Sequence, residues 1–282
     1  MAIIITHPGS AHLDDFLSCC LVINNSGIIK KIKRREPNKP EIKDPNIWKL
    51  DVGEMHDPKI KCFDHHQDNM KDECTLSLLL KHWGIWSNAN EVHKWLKIVV
   101  LNDTKGPKAV TREIKISFKS MGLLNSFVER TILDLFRTAS VIKKGSVLFS
   151  VMEIIGQRFF ALVDEYFTVM EEIKGKIEYH IIKDVPIISC YKDLKHSESL
   201  VGILKDKMSE RWPDLKGGIA IYPNKRVKGT IALKRMQDDQ RVDFTRISNN
   251  KKVVYCHPDG FFISVEQMSD DELETYIKDA IN

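Results

Sequence analysis

Histidine and aspartate are crowded into the first quarter of this sequence. Of its ten histidines, His7, His12, His56, His65 and His66 fall early, interleaved with Asp14, Asp15, Asp51, Asp57 and Asp64. Imidazole and carboxylate together suit borderline-hard divalent ions such as Mn²⁺ or Zn²⁺, and the lack of nearby paired cysteines argues against a thiolate zinc site. Hydrolysis of a phosphate ester explains why such groups would be collected, because two ions roughly 3.5 to 4 Å apart activate water and stabilise the leaving oxygen together. Asp51 is the carboxylate best placed to bridge them. Taken alone, His12 or Asp14 reads more naturally as a helix cap than as a ligand. Taken jointly at the ends of strands, these residues read as a metal site. Asp15 either caps the helix or steadies a ligand from behind, and His56, Asp57, His82 and His93 read as surface or structural residues.

The elements that would position them follow from the pattern. Ala2 to Thr6 is a short apolar, β-branched run stopped by Pro8-Gly9, the pattern of a strand buried on both faces. A helix is expected from about Asp14, with acidic residues in its first turn. Strands at Ile47 to Val52 and Lys59 to Phe63 would place Asp51 and the Asp64-His65-His66 triplet at strand ends. Helices are expected over Thr75 to Trp83 and Asn90 to Leu101, the latter leading into Asp103, and Leu123 to Ile173 reads as helical scaffold interrupted near Lys143 to Ser146. After Gly175 come short β-like runs at 177–182, 187–191, 218–222, 229–233 and 253–256, then a terminal helix over 275–281. The expectation is an α/β protein with a metal-binding domain and helical connector over 1–184 and a smaller α/β domain over 185–282.

Composition excludes little beyond disorder and fibrous classes: 43% hydrophobic, 29% charged, net charge +4. The basic run Lys30 to Arg35, broken only by Ile32, reads as a solvated loop or strand edge ahead of a phosphate-binding patch. Six scattered cysteines suggest free thiols in a reducing compartment. The apolar start is too short for a signal-peptide core or for the roughly 20 residues of a spanning helix, so a cytoplasmic protein without membrane association is expected.

His7-x4-His12-x-Asp14, Leu50-Asp51-Val52-Gly53, Phe63-Asp64-His65-His66-Gln67 and Asn102-Asp103, in that order, resemble the DHH phosphoesterase superfamily, and within it the MYG1-like (UPF0160) branch. The likeness extends to Leu76-Ser77 through Lys81-His82-Trp83-Gly84 and to Tyr255-Cys256-His257-Pro258-Asp259-Gly260-Phe261-Phe262. It implies two lobes with two metals, usually manganese, in a cleft between them. By position, His7, His12 and Asp51 would hold one ion, and Asp14, Asp51, His65 and Asp103 the other. His66 would face the substrate phosphate or leaving group, while Asp64 would orient the triplet. Many superfamily members carry Asp-x-Asp where this sequence has His12-Leu13-Asp14, a variation shared by the MYG1-like branch.

In the second lobe, Arg235, Arg246 and His257 are candidates for binding an anionic substrate, with Gly260 allowing close backbone approach. The leading expectation is a Mn²⁺-dependent 3′ to 5′ exonuclease or oligonucleotide phosphodiesterase acting on RNA or DNA, with RNA slightly favoured. The alternatives are hydrolysis of a small phosphoanhydride or nucleotide, which would need a dense cationic pocket, and a noncatalytic binding module, against which every expected ligand position is filled. No HExxH or GxSxG motif supports a protease.

Overall fold

The computed structural model describes residues 2–67, 70–124, 126–192, 194 and 197–282. The chain is α/β and divides into two compact units, 1–163 and 164–282. The expected division at 184/185 falls within a β-hairpin, whose antiparallel pairing keeps both of its strands in the second unit.

The first unit contains β1 (Ala2–Thr6), α1 (Leu13–Asn25), β2 (Ile29–Arg34), α2 (Lys39–Lys43), β3 (Ile47–Leu50), β4 (His56–Asp57), β5 (Cys62–Phe63), α3 (Thr75–His82), α4 (Trp86–Val92), α5 (Leu96–Lys105), α6 (Pro107–Glu113), α7 (Phe118–Leu124), α8 (Phe127–Thr138) and β6 (Val141–Lys143). Helix α9 (Val147–Glu172) begins here and crosses the unit boundary. The sheet order is β4-β5-β3-β1-β2-β6. Its four inner strands are parallel, and β4 and β6 close the edges antiparallel. Thr6 lies beside Leu50, and Leu50 beside Phe63, so β1, β3 and β5 leave the sheet at one edge.

Helix α1 is buried almost all round, from Asp14 to Ile23, as expected of a helix enclosed by other helices rather than lying on a surface. Helix α9 reaches its backbone: a Cβ on Gly156 would sit 2.3 Å from the Cys20 carbonyl oxygen, and Asn24 Nδ2 donates to the carbonyls of Cys20 (2.9 Å) and Glu153 (3.1 Å). The helix expected over 90–101 is instead two, because His93 turns inward at 6% exposure. Its ring stacks on Phe159 at 4.2 Å and its Nε2 meets the Phe159 carbonyl at 3.1 Å. The interruption expected near Lys143 holds a strand, β6. The basic run Lys30 to Arg35 is not a strand edge: β2 lies between β1 and β6.

The second unit continues with β7 (Glu178–Ile182), β8 (Val185–Ser189), α10 (Glu198–Arg211), β9 (Gly218–Pro223), β10 (Thr230–Met236), β11 (Val253–Cys256), β12 (Phe262–Glu266) and α11 (Asp270–Ala280). They form a sheet of order β11-β12-β10-β9-β8-β7, antiparallel except between β8 and β9. One face packs Ile187, Ile221, Leu233 and Ile263 against Leu273 and Ile277 of α11. The strand period of two sends alternate residues to the other face, where α10 packs on β8 and β9. Among the described residues no helix is long and apolar enough to cross a membrane, and all six cysteines are free.

Candidate metal centre

Because β1, β3 and β5 are parallel neighbours, the residues following them emerge together: His7 after Thr6, Asp51 after Leu50, and Asp64-His65-His66 after Phe63. The carboxyl ends of parallel strands are where α/β sheets gather ligand-binding groups. His12 is the residue before α1, with Asp14 and Asp15 in that helix's first turn, and Asp103 comes from α5. Asp51 adopts the left-handed region, φ 59°, which Asp tolerates better than most residues. That turn leads the chain abruptly off the sheet.

The side chains converge. His65 Nε2 lies 3.2 Å from Asp51 Oδ1 and 3.0 Å from Asp103 Oδ2, and His12 Nδ1 is 3.3 Å from Asp103 Oδ1. The rings of His7 and His12 stack at 6.3 Å. Three sets of donor atoms lie within 4.8 Å of one another: His7 with Asp15 and Asp51, His12 with Asp14 and Asp103, and Asp51 with His65 and His66. Asp51 belongs to two of the three. The structure thus groups His12 with Asp14 and Asp103, where the family resemblance places it with His7 and Asp51.

Supporting contacts fix these groups. His7 Nδ1 meets the Ser10 carbonyl at 3.2 Å, so that nitrogen carries the proton and Nε2 keeps its lone pair. Thr75 Oγ1 donates to Asp51 Oδ1 at 3.3 Å and lies 3.2 Å from the Phe63 carbonyl. His66 Nδ1 is 2.7 Å from Asp64 Oδ1, while Asp64 Oδ2 accepts the Glu54 N–H at 2.7 Å. Asp64 therefore holds the His66 ring and leaves its Nε2 available. Asp15 Oδ1 accepts the N–H groups of His12 (2.9 Å) and Phe16 (2.8 Å), so it caps α1 and steadies a candidate ligand at once.

Electrostatically the cluster is short of positive charge. Both oxygens of Asp14 are buried without a hydrogen-bond partner among the described residues. Burial, then the charges of Asp51 and Asp103, push its carboxyl well above the usual range. Burial also raises Asp15 to about 7 against the pull of Arg34. Burial alone would lower His65, but its contacts with Asp103 and Asp51 outweigh this and raise it to about 10. The hydrogen bond to Asp103 likewise raises His12. Protons held by imidazoles between carboxylates stand where divalent cations would neutralise the same charge, and the borderline-hard nitrogen and oxygen donors suit such ions. The donors open onto a cleft of about 530 Å³, whose rim includes Lys71 and Lys105.

Two supporting residues escape the sequence reading. Thr75 sits at the start of α3 with nothing in its neighbourhood to mark it. Arg34 is hidden in the basic run, although it lies two residues beyond buried Ile32 in the same strand, a spacing that points both inward. Its guanidinium donates to the carbonyls of His7, Ser10 and Phe136 and faces Asp15.

Of the residues singled out in the second unit, Arg235, Arg246 and Gly260 all lie close to Asp243. Arg235 donates to the Val242 carbonyl (3.0 Å) and Asp238 (2.7 Å), and Arg246 to Asn282. Gly260 has φ 64°, and a Cβ there would meet Asp243 Oδ1 at 2.1 Å, which gives its lack of a side chain a structural reason. His257 lines a cavity.

Residues 3–81 match the family described as MYG1_exonuc, "Uncharacterised protein family (UPF0160)". The matched segment is MYG1-like. It carries His7, His12, Asp14, Asp51, His65 and His66, whereas Asp103 lies beyond it. No curated protein matches the chain. Among solved structures, a DHH-domain protein described as a member of the s1p family of ribosomal proteins is 12% identical at a TM-score of 0.34, covering 98% of this chain and 86% of that one. RecJ from Thermus thermophilus, solved in complex with Mn²⁺, is 9% identical at 0.31, covering 99% of this chain and 51% of that one. An uncharacterised protein from Helicobacter pylori G27 is 11% identical at 0.22, covering 99% of each.

Proposed function

We propose that this chain is a metal-dependent phosphoesterase that shortens single-stranded oligonucleotides from the 3′ end. The observation that carries the reading is the convergence of His12, Asp51, His65 and Asp103 in the lining of one cleft, beside the buried carboxyl of Asp14, which has no hydrogen-bond partner among the described residues. His7 and Asp51 would hold one ion, and Asp14, His65 and Asp103 the other, with Asp51 shared and His12 beside the second group. Two divalent ions, Mn²⁺ by the family resemblance, would supply charge stabilisation for the phosphoryl group and activation of water.

The chain's own residues complete the chemistry. Asp64 accepts from His66 Nδ1 and orients the ring, and from Nε2 the doubly protonated ring donates a hydrogen bond or a proton to the leaving oxygen. Thr75 restrains Asp51, and Asp15 restrains the backbone of His12. Lys71 and Lys105 at the rim attract the phosphate backbone. Lys105 is already 2.6 Å from Asp72, which leaves a thin cationic lining for pyrophosphate and favours the phosphodiester reading.

The test is to strip the protein of metal, restore Mn²⁺, Mg²⁺ or Zn²⁺, and assay 5′-labelled RNA and DNA oligonucleotides, pyrophosphate and a chromogenic phosphodiester. A ladder of shortened, still-labelled products is the expected result. Turnover of pyrophosphate alone would replace the substrate, and no hydrolysis with any metal would overturn the phosphoesterase.

A further inference from the structure

On one face of the second sheet, α10 packs on β8 and β9. On the same face, Tyr222 of β9, Ala232 of β10, Ser264 of β12 and Tyr255 of β11 are paired across the strands in a single row. Lys234 and Phe262 pair in the adjacent row. Ala232, Ser264 and Tyr222 are buried, Ser264 beneath the Asn224 amide that donates to its Oγ at 2.6 Å, so the accessible aromatic surface of these rows is that of Tyr255 and, in part, Phe262. A cavity of about 350 Å³ opens beside these two rings.

Its walls are chemically one-sided. Tyr255 is 47% exposed, and its ring lies 6.2 Å from that of Phe262. His257 and Phe261 form a second ring pair at 4.1 Å, inclined by 40°. The Asp259 N–H donates to His257 Nδ1 at 3.2 Å, which fixes that ring's orientation. Lys225, Arg226 and Lys234 supply the charged lining, and no carboxylate is among the described residues that line the cavity.

We infer that this sheet face is a stacking platform for the bases of a single-stranded nucleic acid, an assignment that rests on the oligonucleotide reading above. Exposed aromatic rings on an open antiparallel sheet give unpaired bases a π-surface that is indifferent to sequence. The cations provide the complementary charge for the phosphates between those bases. An acidic ligand without rings would leave Tyr255 and Phe261 unused. A duplex keeps its bases stacked internally and cannot offer them to these rings. Tyr255 and Phe262 take bases, Lys234 and Arg226 take phosphates, and the backbone-oriented His257 borders the stack.

The test measures binding apart from hydrolysis. The full chain is titrated into labelled single-stranded RNA and DNA of about eight nucleotides, within the range of one such platform. One arm uses EDTA; another uses Mn²⁺ with phosphorothioate linkages that resist cleavage. Tyr255→Ala should weaken binding about tenfold, the usual worth of one stacked base, while Tyr255→Phe retains the ring and the affinity. Lys234→Gln should lower the dependence of log Kd on log salt by about 0.7, the contribution of one phosphate contact on a single strand. A duplex of the same sequence should bind more weakly than either strand. The RNA and DNA arms report which sugar the platform prefers, and binding of either supports it. If Tyr255→Ala, shown folded by its unfolding midpoint, binds within twofold of the parent, or if the duplex binds as tightly as the single strand, the platform is overturned. Hydrolysis without sensitivity at Tyr255 would sink this inference and leave the phosphoesterase standing. Binding sensitive to Tyr255 without hydrolysis under any metal would do the reverse.

Discussion

Arg34 faces Asp15 at 3.6 Å, with both side chains almost wholly buried, at 2% and 1% exposure. Burial is the larger influence on each, lowering the arginine and raising the carboxyl against their mutual attraction. The pair therefore serves geometry more than stability. Arg34 holds the His7 and Ser10 carbonyls at 2.7 and 3.0 Å, and Asp15 holds the His12 N–H, so between them they set both histidines of the first motif.

Truncating one member strands the other. Arg34→Met should cost about 3–5 kcal/mol, as for other broken buried pairs, visible as a lower denaturant midpoint. Arg34→Lys keeps the charge but loses the fork, so Mn²⁺ affinity should fall more than stability does. Equal metal affinity in Arg34→Lys and the parent would show that the loop does not depend on this clamp.

Asp51→Asn preserves a residue type that accepts a left-handed backbone but removes the shared charge. The variant should remain folded, lose manganese by mass spectrometry and lose activity. Retention of two equivalents of metal with near-normal turnover would remove Asp51 from the bridging role.

The adjacent histidines should separate. His65→Ala removes a group in contact with both Asp51 and Asp103 and should lose an ion. His66→Ala leaves those carboxylates untouched and should keep its metal while turnover falls about 10²- to 10⁴-fold, the range for positioned acid–base help. Single-turnover rates and manganese occupancy on both variants decide it, and equal metal loss would count against the role given to His66.

Asp14 has no hydrogen-bond partner among the described residues for either oxygen, so metal should stabilise the native chain more than it stabilises an Asp14→Asn variant. At a free Mn²⁺ concentration of about 100 Kd the parent should gain about 2.7 kcal/mol, with a smaller rise in melting temperature for Asp14→Asn and little difference between the two in EDTA. Identical metal-induced shifts would exclude Asp14 as a ligand.

Acid stability should draw on a site away from the cleft. Arg35 donates to Glu41 at 2.8 Å, and this bond holds the Glu41 carboxyl down at about 2. A depressed folded value contributes stability above the unfolded value near 4.5 and loses it as pH falls towards 2. With Arg35 at 40% side-chain exposure, solvent screening reduces the contribution to about 1 kcal/mol. Glu41→Gln should be less stable than the parent at pH 7 and converge with it near pH 2 in urea titrations.

The donor groups of the candidate site are legible in the sequence because ligand chemistry is written in residue types, and the strand-end positions of Asp51 and His65 follow from apolar runs that stop abruptly. The convergence itself depends on strand order, which local pattern does not encode. Strand β2 escapes notice because its lysines mask the apolar positions Ile29 and Ile32, and Arg34 is misread with it. The break at His93 is invisible because it is imposed by Phe159, far along the chain. Strand β12 and helix α10 lie in stretches with too mixed a composition to announce a period. Gly260 reads as a place of close approach to a ligand, whereas the group approaching it is Asp243.

The backbone of Asp51 also bears on how this sequence could drift. Its left-handed φ is comfortable for glycine, asparagine and aspartate and strained for nearly everything else. Asparagine and glycine are each a single nucleotide change from an aspartate codon. The mutational steps that spare the fold at this position are thus the ones that remove its charge, so a lineage released from selection for activity would pass through well-folded descendants with an emptied centre before it produced unstable ones.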